Sequence, residues 1–191
     1  MSDMGLLGQT VVIIGGGTGI GLATARKAKT EGARLIITDR RSGPLEDVAD
    51  EIGVEATAAF DESDTGRLEA FLGRLPGYID HVVLSRGALE QLLLPLCIAR
   101  YARREMRYGG SLVFIDVTPA RRPGAGQSLA AIAPIPRPVL IANLVVEAAP
   151  VRVNLIVCTP ADAPDDVAAR AVQLMIDPVV TGAILHIDGG G

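Results

Sequence analysis

The chain has 191 residues, a formal net charge of −4 and 49% hydrophobic residues. This length suits a single domain, which we expect to span residues 1–191, and the apolar fraction excludes an intrinsically disordered protein. The acidic balance and the low aromatic content of 3% argue against nucleic-acid binding, because phosphates attract basic side chains and exposed bases stack on aromatic rings.

Other features of the sequence indicate a cytoplasmic protein. Proline, arginine or glycine interrupts every apolar run before the roughly 18 residues that a membrane span needs, so we expect no membrane association. Residues 1–10 lack the basic region and apolar core of a signal peptide. The two cysteines, Cys97 and Cys158, lie in apolar segments, where we expect buried, reduced thiols. His81 and His186 have no partner at ligand spacing, so no metal site is expected.

Short apolar runs alternate with helical patterns along the chain. Seven runs predict strands over residues 10–14, 34–38, 54–60, 81–85, 111–117, 151–157 and 183–187. Between them, helices are predicted over residues 22–30, 44–52, from a cap at Asp64, 92–107, 139–147 and 164–175, with an irregular loop before residue 139. Buried strands that alternate with helices predict an α/β fold, in which one doubly wound, Rossmann-like parallel sheet carries helices on both faces.

The strongest motif lies between the first predicted strand and helix. It reads Gly15-Gly16-Gly17-Thr18-Gly19-Ile20-Gly21, with the spacing G-x-x-x-G-x-G rather than G-x-G-x-x-G. Gly15 permits a sharp turn, Gly19 leaves room for a pyrophosphate at the helix N-terminus, and Gly21 permits close packing of helix on strand. We expect the motif, except Gly16, to contact a dinucleotide; the alternative is a flexible turn without a ligand.

Acidic residues follow the second and third predicted strands. Asp39 stands where a carboxylate accepts hydrogen bonds from an adenosine ribose and repels a 2′-phosphate, which favours NAD(H). Arg40 and Arg41 leave NADP(H) open, since a guanidinium can pair with that phosphate. Asp61 stands where the adenine edge is expected. The alternative interpretation of both acids is structural: a solvated turn at Asp39 and a helix start at Asp61.

These residues resemble the short-chain dehydrogenase/reductase family. The resemblance rests on residues 11–21, Asp39, Asp61, Arg152-Val153-Asn154 and the closing TGAILHIDGG of residues 181–190. It implies a seven-stranded sheet in the order 3-2-1-4-5-6-7, an NAD(H) or NADP(H) cofactor, and interconversion of alcohols and carbonyls. It also implies a homodimer or homotetramer, paired through two long helices and the last strand. At the family's Asn-Asn-Ala-Gly motif, Ser85 and Gly87 are then expected beside the cofactor.

The chain departs from the family's pattern on the nicotinamide and substrate side. The family's Tyr-x-x-x-Lys falls near Ser128, and no lysine occurs after Lys29. The two serines that end the family's fifth strand are replaced by Asp116 and Val117, with Thr118 next. The candidate catalytic residues are therefore Asp116, as acid or base, and the hydroxyl groups of Thr118 and Ser128.

These observations predict a shortened, atypical member of the family. Its expected function is an NAD(P)-dependent oxidoreductase with degenerate catalytic residues, acting on a small molecule that the sequence does not identify. The alternatives are a catalytically inactive NAD(H)-binding sensor or subunit partner, and non-redox catalysis on the same scaffold. An apolar stripe on the fourth predicted helix is expected to support pairing between subunits; it consists of Leu94, Cys97, Ile98 and Tyr101.

Overall fold

A computed structural model describes residues 5–76, 79–85, 93–118 and 137–187 of the chain. Its strands are β1 (Thr10–Ile14), β2 (Arg34–Asp39), β3 (Ala56–Ala59), β4 (Ile79–Leu84), β5 (Met106–Val117), β6 (Arg152–Cys158) and β7 (Ile184–His186). Its helices are α1 (Gly19–Thr30), α2 (Ser42–Ile52), α3 (Thr65–Leu72), α4 (Leu93–Glu105), α5 (Arg137–Ala148) and α6 (Pro164–Ile176). None of the helices in these ranges is long and apolar enough to cross a membrane.

The strands form one parallel sheet in the order β3-β2-β1-β4-β5-β6-β7, which confirms the predicted architecture. Strand β1 is fully buried on both faces, as its unbroken apolar run requires. Side chains of α3, α4 and α5 pack on one face of the sheet and those of α1, α2 and α6 on the other. The strand order reverses between β1 and β4, and sheets of this kind bind ligands at the carboxyl edge beside such a reversal.

The junction between α4 and β5 differs from the sequence prediction. The helix ends at Glu105, two residues early, and β5 begins at Met106, which pairs with Ile79 before the register shifts. A side chain at Gly110 would collide with the carbonyl oxygen of Asp80, so glycine is needed where the two strands meet. The glycines interrupt the apolar pattern, and the start of β5 therefore does not stand out in the sequence.

The apolar stripe of α4 does not form an exposed surface. Leu94, Ile98 and Tyr101 are 4%, 1% and 5% exposed in the core between α4 and the sheet. Cys97 is half-buried, not fully buried as predicted, whereas Cys158 is buried, and both thiols are free. The stripe thus covers the chain's own sheet, which removes the argument for subunit pairing that rested on it. The homodimer or homotetramer remains a prediction.

Candidate functional site

The glycine loop joins the carboxyl end of β1 to α1. The helix begins at Gly19, three residues earlier than predicted, so that Gly19, Ile20 and Gly21 form its first turn. Gly15 and Gly19 have φ values of +81° and +56°, a region that favours glycine. A Cβ on Gly21 would collide with the carbonyl oxygen of Gly15, whereas a Cβ on Gly19 would meet nothing within 4 Å. The loop therefore has the turn, the open approach and the close packing that the motif predicts.

The first turn of α1 can receive an anion. The first intrahelical hydrogen bond runs from the Leu22 amide to the Thr18 carbonyl at 3.3 Å. The amides of Gly19, Ile20 and Gly21 precede it and have no acceptor within the helix. These N–H groups and the positive end of the helix dipole favour a phosphate, and the open space at Gly19 lets one approach. This geometry fits the pyrophosphate of a dinucleotide.

Strand β2 holds the glycine loop from one side. The carbonyl oxygen of Thr38 accepts hydrogen bonds from the amides of Gly15 and Gly16, at 3.0 and 2.8 Å. The next residue, Asp39, accepts from the Gly17 amide at 3.1 Å through Oδ2. Three consecutive loop amides are thus bound to two consecutive residues at the end of β2.

Strand β4 holds the same loop from the other side through Ser85. This side chain is 6% exposed, and its hydroxyl oxygen lies 3.0 Å from the Ile14 carbonyl and 2.7 Å from that of Gly15, to which it donates. The structure therefore gives Ser85 a role in shaping the loop. Gly87, the other residue predicted near the cofactor on this side, lies outside the described residues.

Asp39 is committed to the loop rather than projecting into the crevice. It is 1% exposed; Oδ2 accepts from Gly17, and Oδ1 accepts from the Arg40 amide at 2.7 Å. A side chain at position 17 would meet the Asp39 carboxylate, with a Cβ–Oδ2 distance of 2.8 Å. A ribose would have to reach this carboxylate past Gly17. The side chains of Arg40 and Arg41, by contrast, are exposed at the end of the strand.

Asp61 lies in the turn that starts helix α3, which is the structural alternative that the sequence left open. Its Oδ1 accepts from the amide and hydroxyl of Ser63, at 3.0 and 2.7 Å, in a turn that leads to the Asp64 cap of α3. The pKa of Asp61 is lowered, first by these hydrogen bonds and also by the charges of Arg40 and Arg67. The carboxylate is nevertheless exposed beside Arg40, so the turn leaves it accessible to a ligand.

Asp116 lies near the carboxyl end of β5 and is 6% exposed. Its Oδ2 accepts a hydrogen bond from Nε of Arg137 at 2.8 Å and lies 2.6 Å from Nη2 of the same guanidinium group. The sequence interpretation did not include Arg137, the first residue of α5. A signal was present, because Arg137 is the sole charged residue between Arg122 and Glu147. The predicted acid or base is thus one half of an ion pair.

The hydroxyl groups predicted with Asp116 are placed differently. The amide and the hydroxyl of Thr118 both donate to the carbonyl of Cys158, at 2.8 and 3.2 Å, which ties the end of β5 to β6. Ser128 lies outside the described residues. The pKa of Cys158 is raised to about 11 by burial and by the charges of Asp162 and Asp116. This thiol therefore stays protonated at neutral pH and is a poor nucleophile.

The site has two parts along the carboxyl edge of the sheet. The glycine loop gathers Asp39 and Ser85 around the first turn of α1, while Asp116 and Arg137 lie at β5, two strands from β1. At about 4.8 Å per strand, roughly 10 Å separates the two strands. The closing residues 188–191, which contributed to the family resemblance, lie outside the described part. The sheet order is that of a doubly wound domain, and the loop has the geometry that dinucleotide-binding domains of this kind place beside β1.

Known proteins place the chain more narrowly. The family model described as short chain dehydrogenase matches residues 9–88. The short-chain dehydrogenase/reductase ATR9 of Stachybotrys chlorohalonatus (strain IBT 40285) is 25% identical over 244 aligned positions, which span 96% of this chain and 96% of the relative. The chain is therefore similar to the short-chain dehydrogenase/reductase family, through the family model over residues 9–88 and through this relative over nearly the whole chain.

Solved structures share the fold. A short-chain dehydrogenase/reductase from Serratia marcescens BCRC 10948 is 22% identical, with a TM-score of 0.81 over 97% of this chain and 98% of that one. A short chain dehydrogenase from Burkholderia cenocepacia J2315, solved in complex with NADP, is 24% identical and has the same TM-score and coverage. At these identities the likeness concerns the architecture of the sheet and helices.

Proposed function

We propose that the protein is an NAD(P)-dependent oxidoreductase of the short-chain dehydrogenase/reductase type whose catalytic residues depart from the family's pattern. The observation that carries the proposal is the glycine loop, with its open approach at Gly19 and the first-turn amides of α1 that have no acceptor within the helix. The neighbour from Burkholderia cenocepacia, which binds NADP, adds support for a nicotinamide cofactor. Such a cofactor supplies the hydride acceptor or donor when bound.

We propose further that NAD(H) is favoured over NADP(H). The first turn of α1 would hold the pyrophosphate, and Asp39 would face the ribose across Gly17. A 2′-phosphate in this place would lie against a buried carboxylate, which disfavours it electrostatically. The exposed guanidinium groups of Arg40 and Arg41 act in the opposite direction. We expect the repulsion by Asp39 to exceed the attraction by the two arginines, because water screens a buried charge less than exposed charges. The expected preference is therefore for NAD(H).

Asp116 is the residue to which we assign proton transfer. Oxidation of an alcohol releases a hydroxyl proton, and a carboxylate at the carboxyl edge can accept it. Nε of Arg137 donates to Oδ2 and Nη2 forms the ion pair with the same oxygen, so the guanidinium orients the carboxylate and leaves Oδ1 unengaged by it. In this assignment Arg137 acts as a positioning residue for Asp116.

The same ion pair also supports a second candidate, an NAD(H)-binding sensor or subunit partner without catalysis. Asp116 is 6% exposed and paired, and the Thr118 hydroxyl donates to a backbone carbonyl. Both groups thus have structural partners. If they serve only to join β5 to α5 and β6, cofactor binding would remain while turnover would be absent.

Cofactor titration separates these possibilities. The protein has no tryptophan, so the fluorescence of NADH and NADPH reports binding directly. We expect NADH to bind more tightly than NADPH and Asp39→Ala to narrow the difference; equal or tighter NADPH binding would show that Arg40 and Arg41 prevail. Asp116→Asn should retain NADH affinity within a few-fold and lose turnover. An Asp116→Asn variant with full activity would remove Asp116 from the chemistry, and a wild type that binds NADH but turns over no alcohol or carbonyl would favour the sensor.

We also propose that the protein is cytoplasmic and homo-oligomeric. The two free thiols support a reducing compartment. For association, the outer face of α5 replaces the stripe of α4: Val139 and Val146 are 57% and 71% exposed, and Ala142 and Asn143 between them carry no charge. An uncharged, apolar helix face suits pairing with a second copy in a homodimer or homotetramer.

A further inference from the structure

The guanidinium group of Arg137 has unused hydrogen-bonding capacity at the carboxyl edge of the sheet. Arginine carries five N–H donors. The Nε–H donates to Oδ2 of Asp116 at 2.8 Å, and Nη2 lies 2.6 Å from the same oxygen as part of the ion pair. Within the described ranges no other atom accepts a hydrogen bond from Arg137, and its side chain is 22% exposed. Among the described residues, the group is therefore held by Asp116 on one side, and its other N–H groups have no acceptor.

The ion pair between Asp116 and Arg137 is better suited to binding a ligand than to stabilising the fold. Ion pairs with a buried member contribute little net stability, because removing the charges from water offsets their attraction. An arginine held by an acid is, however, a rigid planar fork that matches a carboxylate with two parallel hydrogen bonds. Asp116 already fixes the side-chain rotamer, so binding a ligand would order little more of Arg137.

The charge of Asp116 beside Arg137 favours a monoanionic ligand over a dianionic one. Asp116 is 6% exposed and contacts the guanidinium group directly, so one buried carboxylate already lies beside Arg137. A dianionic phosphate at Arg137 would meet this negative environment, whereas a single carboxylate meets it with half the charge. The strand spacing puts Asp116 roughly 10 Å to the side of the glycine loop, so a small acid here would not compete for the pyrophosphate position.

We propose that Arg137 binds the carboxylate group of the substrate, and that the substrates are small oxo or hydroxy carboxylic acids. This assignment rests on the proposed oxidoreductase function and adds the substrate class to it. In this proposal Asp116 has two roles. It orients Arg137, which binds the substrate carboxylate, and it exchanges a proton with the hydroxyl or carbonyl oxygen of the substrate.

Calorimetric titration with oxamate, an unreactive monocarboxylate, tests the proposal, and oxamide is its uncharged counterpart. Each titration is made with and without saturating NADH, and inorganic phosphate is a third ligand. We expect oxamate to bind, oxamide not to bind, and phosphate to bind more weakly. Arg137→Gln should weaken oxamate binding roughly tenfold or more, with Arg137→Lys intermediate. The control Arg100→Gln, at an exposed arginine of α4, should leave it unchanged.

Arg137→Gln leaves Asp116 without its partner and can destabilise the fold, so the double variant Asp116→Asn/Arg137→Gln, which buries no unpaired charge, is measured as well. It should unfold near the wild-type temperature and still fail to bind oxamate. Three results would overturn the proposal. The wild type does not bind oxamate, it binds oxamide as tightly as oxamate, or Arg137→Gln and the double variant bind oxamate as tightly as the wild type does. NADH titration of the same samples reports the oxidoreductase proposal separately: NADH binding without oxamate binding rejects only the substrate class, and oxamate binding without NADH binding rejects only the cofactor.

Discussion

Acidification should weaken the fold through one buried imidazole. His81 is 2% exposed, and its Nδ1 and Nε2 lie 2.8 Å from Ser111 Oγ and 2.6 Å from Gln9 Oε1. The Gln9 amide nitrogen donates to the Gly5 carbonyl, so its oxygen faces His81 and accepts the Nε2 proton. Both ring nitrogens thus have partners that suit the neutral form. Burial, and to a smaller extent the charge of Arg152, lowers the pKa of His81 to about 3.

The size of the effect follows from the two pKa values. Histidine in the unfolded chain binds a proton at about pH 6.5, whereas His81 in the folded protein does so only at about pH 3. Above pH 6.5 the protonation of His81 contributes almost no pH dependence to the free energy of unfolding. Between the two values that free energy falls by about 1.4 kcal/mol for each unit of decreasing pH. From pH 7 to pH 5, His81 alone therefore removes about 2 kcal/mol, out of a total that is commonly about 5–15 kcal/mol.

Urea unfolding at pH 7, 6 and 5 measures this loss. The variant His81→Gln should be less stable than the wild type at pH 7 but should lose about 2 kcal/mol less between pH 7 and pH 5. His186→Gln is the matched control, because His186 is exposed on β7 and its variant should follow the wild type. Carboxylates that titrate in this range are common to all three proteins. Equal losses in the wild type and His81→Gln would refute the reasoning.

Three further predictions concern the loop, the core and the surface. Gly21→Ala should abolish NADH binding or prevent folding, because its Cβ collides with backbone, while Gly43→Ala on α2, where nothing lies within 4 Å, should be neutral or slightly stabilising in both assays. Arg152→Met should cost at least about 2 kcal/mol in urea unfolding, since the buried guanidinium donates to two carbonyls of α6; a smaller loss would contradict that role. Val146→Glu should reduce the sedimenting mass to one chain, 19.9 kDa, whereas Val179→Glu, at another exposed valine, should not; a single-chain mass for the wild type would disprove association.

Strands buried on both faces were the most predictable part of the fold. The bounds of β1 agree with the prediction, and those of β6 differ by one residue, because a continuous apolar run has no other place than the interior of a parallel sheet. The edge strand β3 is shorter than predicted: its alanines are mostly exposed, so hydrophobic pattern does not define its ends. The sequence also predicted that Asp39 lies at the carboxyl edge of the sheet, because this residue directly follows the apolar run that forms β2.

The two parts of the site differed in how far the sequence could predict them. The conformation of Gly15 to Gly21 depends on neighbours within a few residues, so spacing alone indicates the loop. The pairing of Asp116 with Arg137 joins residues 21 positions apart and depends on where α5 returns to the sheet. The burial of Asp39 beneath Gly17 also depends on tertiary packing, which residue types do not reveal.

Because the glycine loop is hydrogen-bonded to the end of β2, the affinity for a cofactor should depend on the local stability of β2. Because the amides of Gly15, Gly16 and Gly17 are already bound to Thr38 and Asp39, the conformational entropy of the loop is lost during folding and not on binding. These three amides should therefore resist exchange with deuterium even without ligand. A substitution that frays β2 would weaken cofactor binding without touching the cofactor. By the reciprocity of linked equilibria, a bound cofactor would in turn slow the opening of β2.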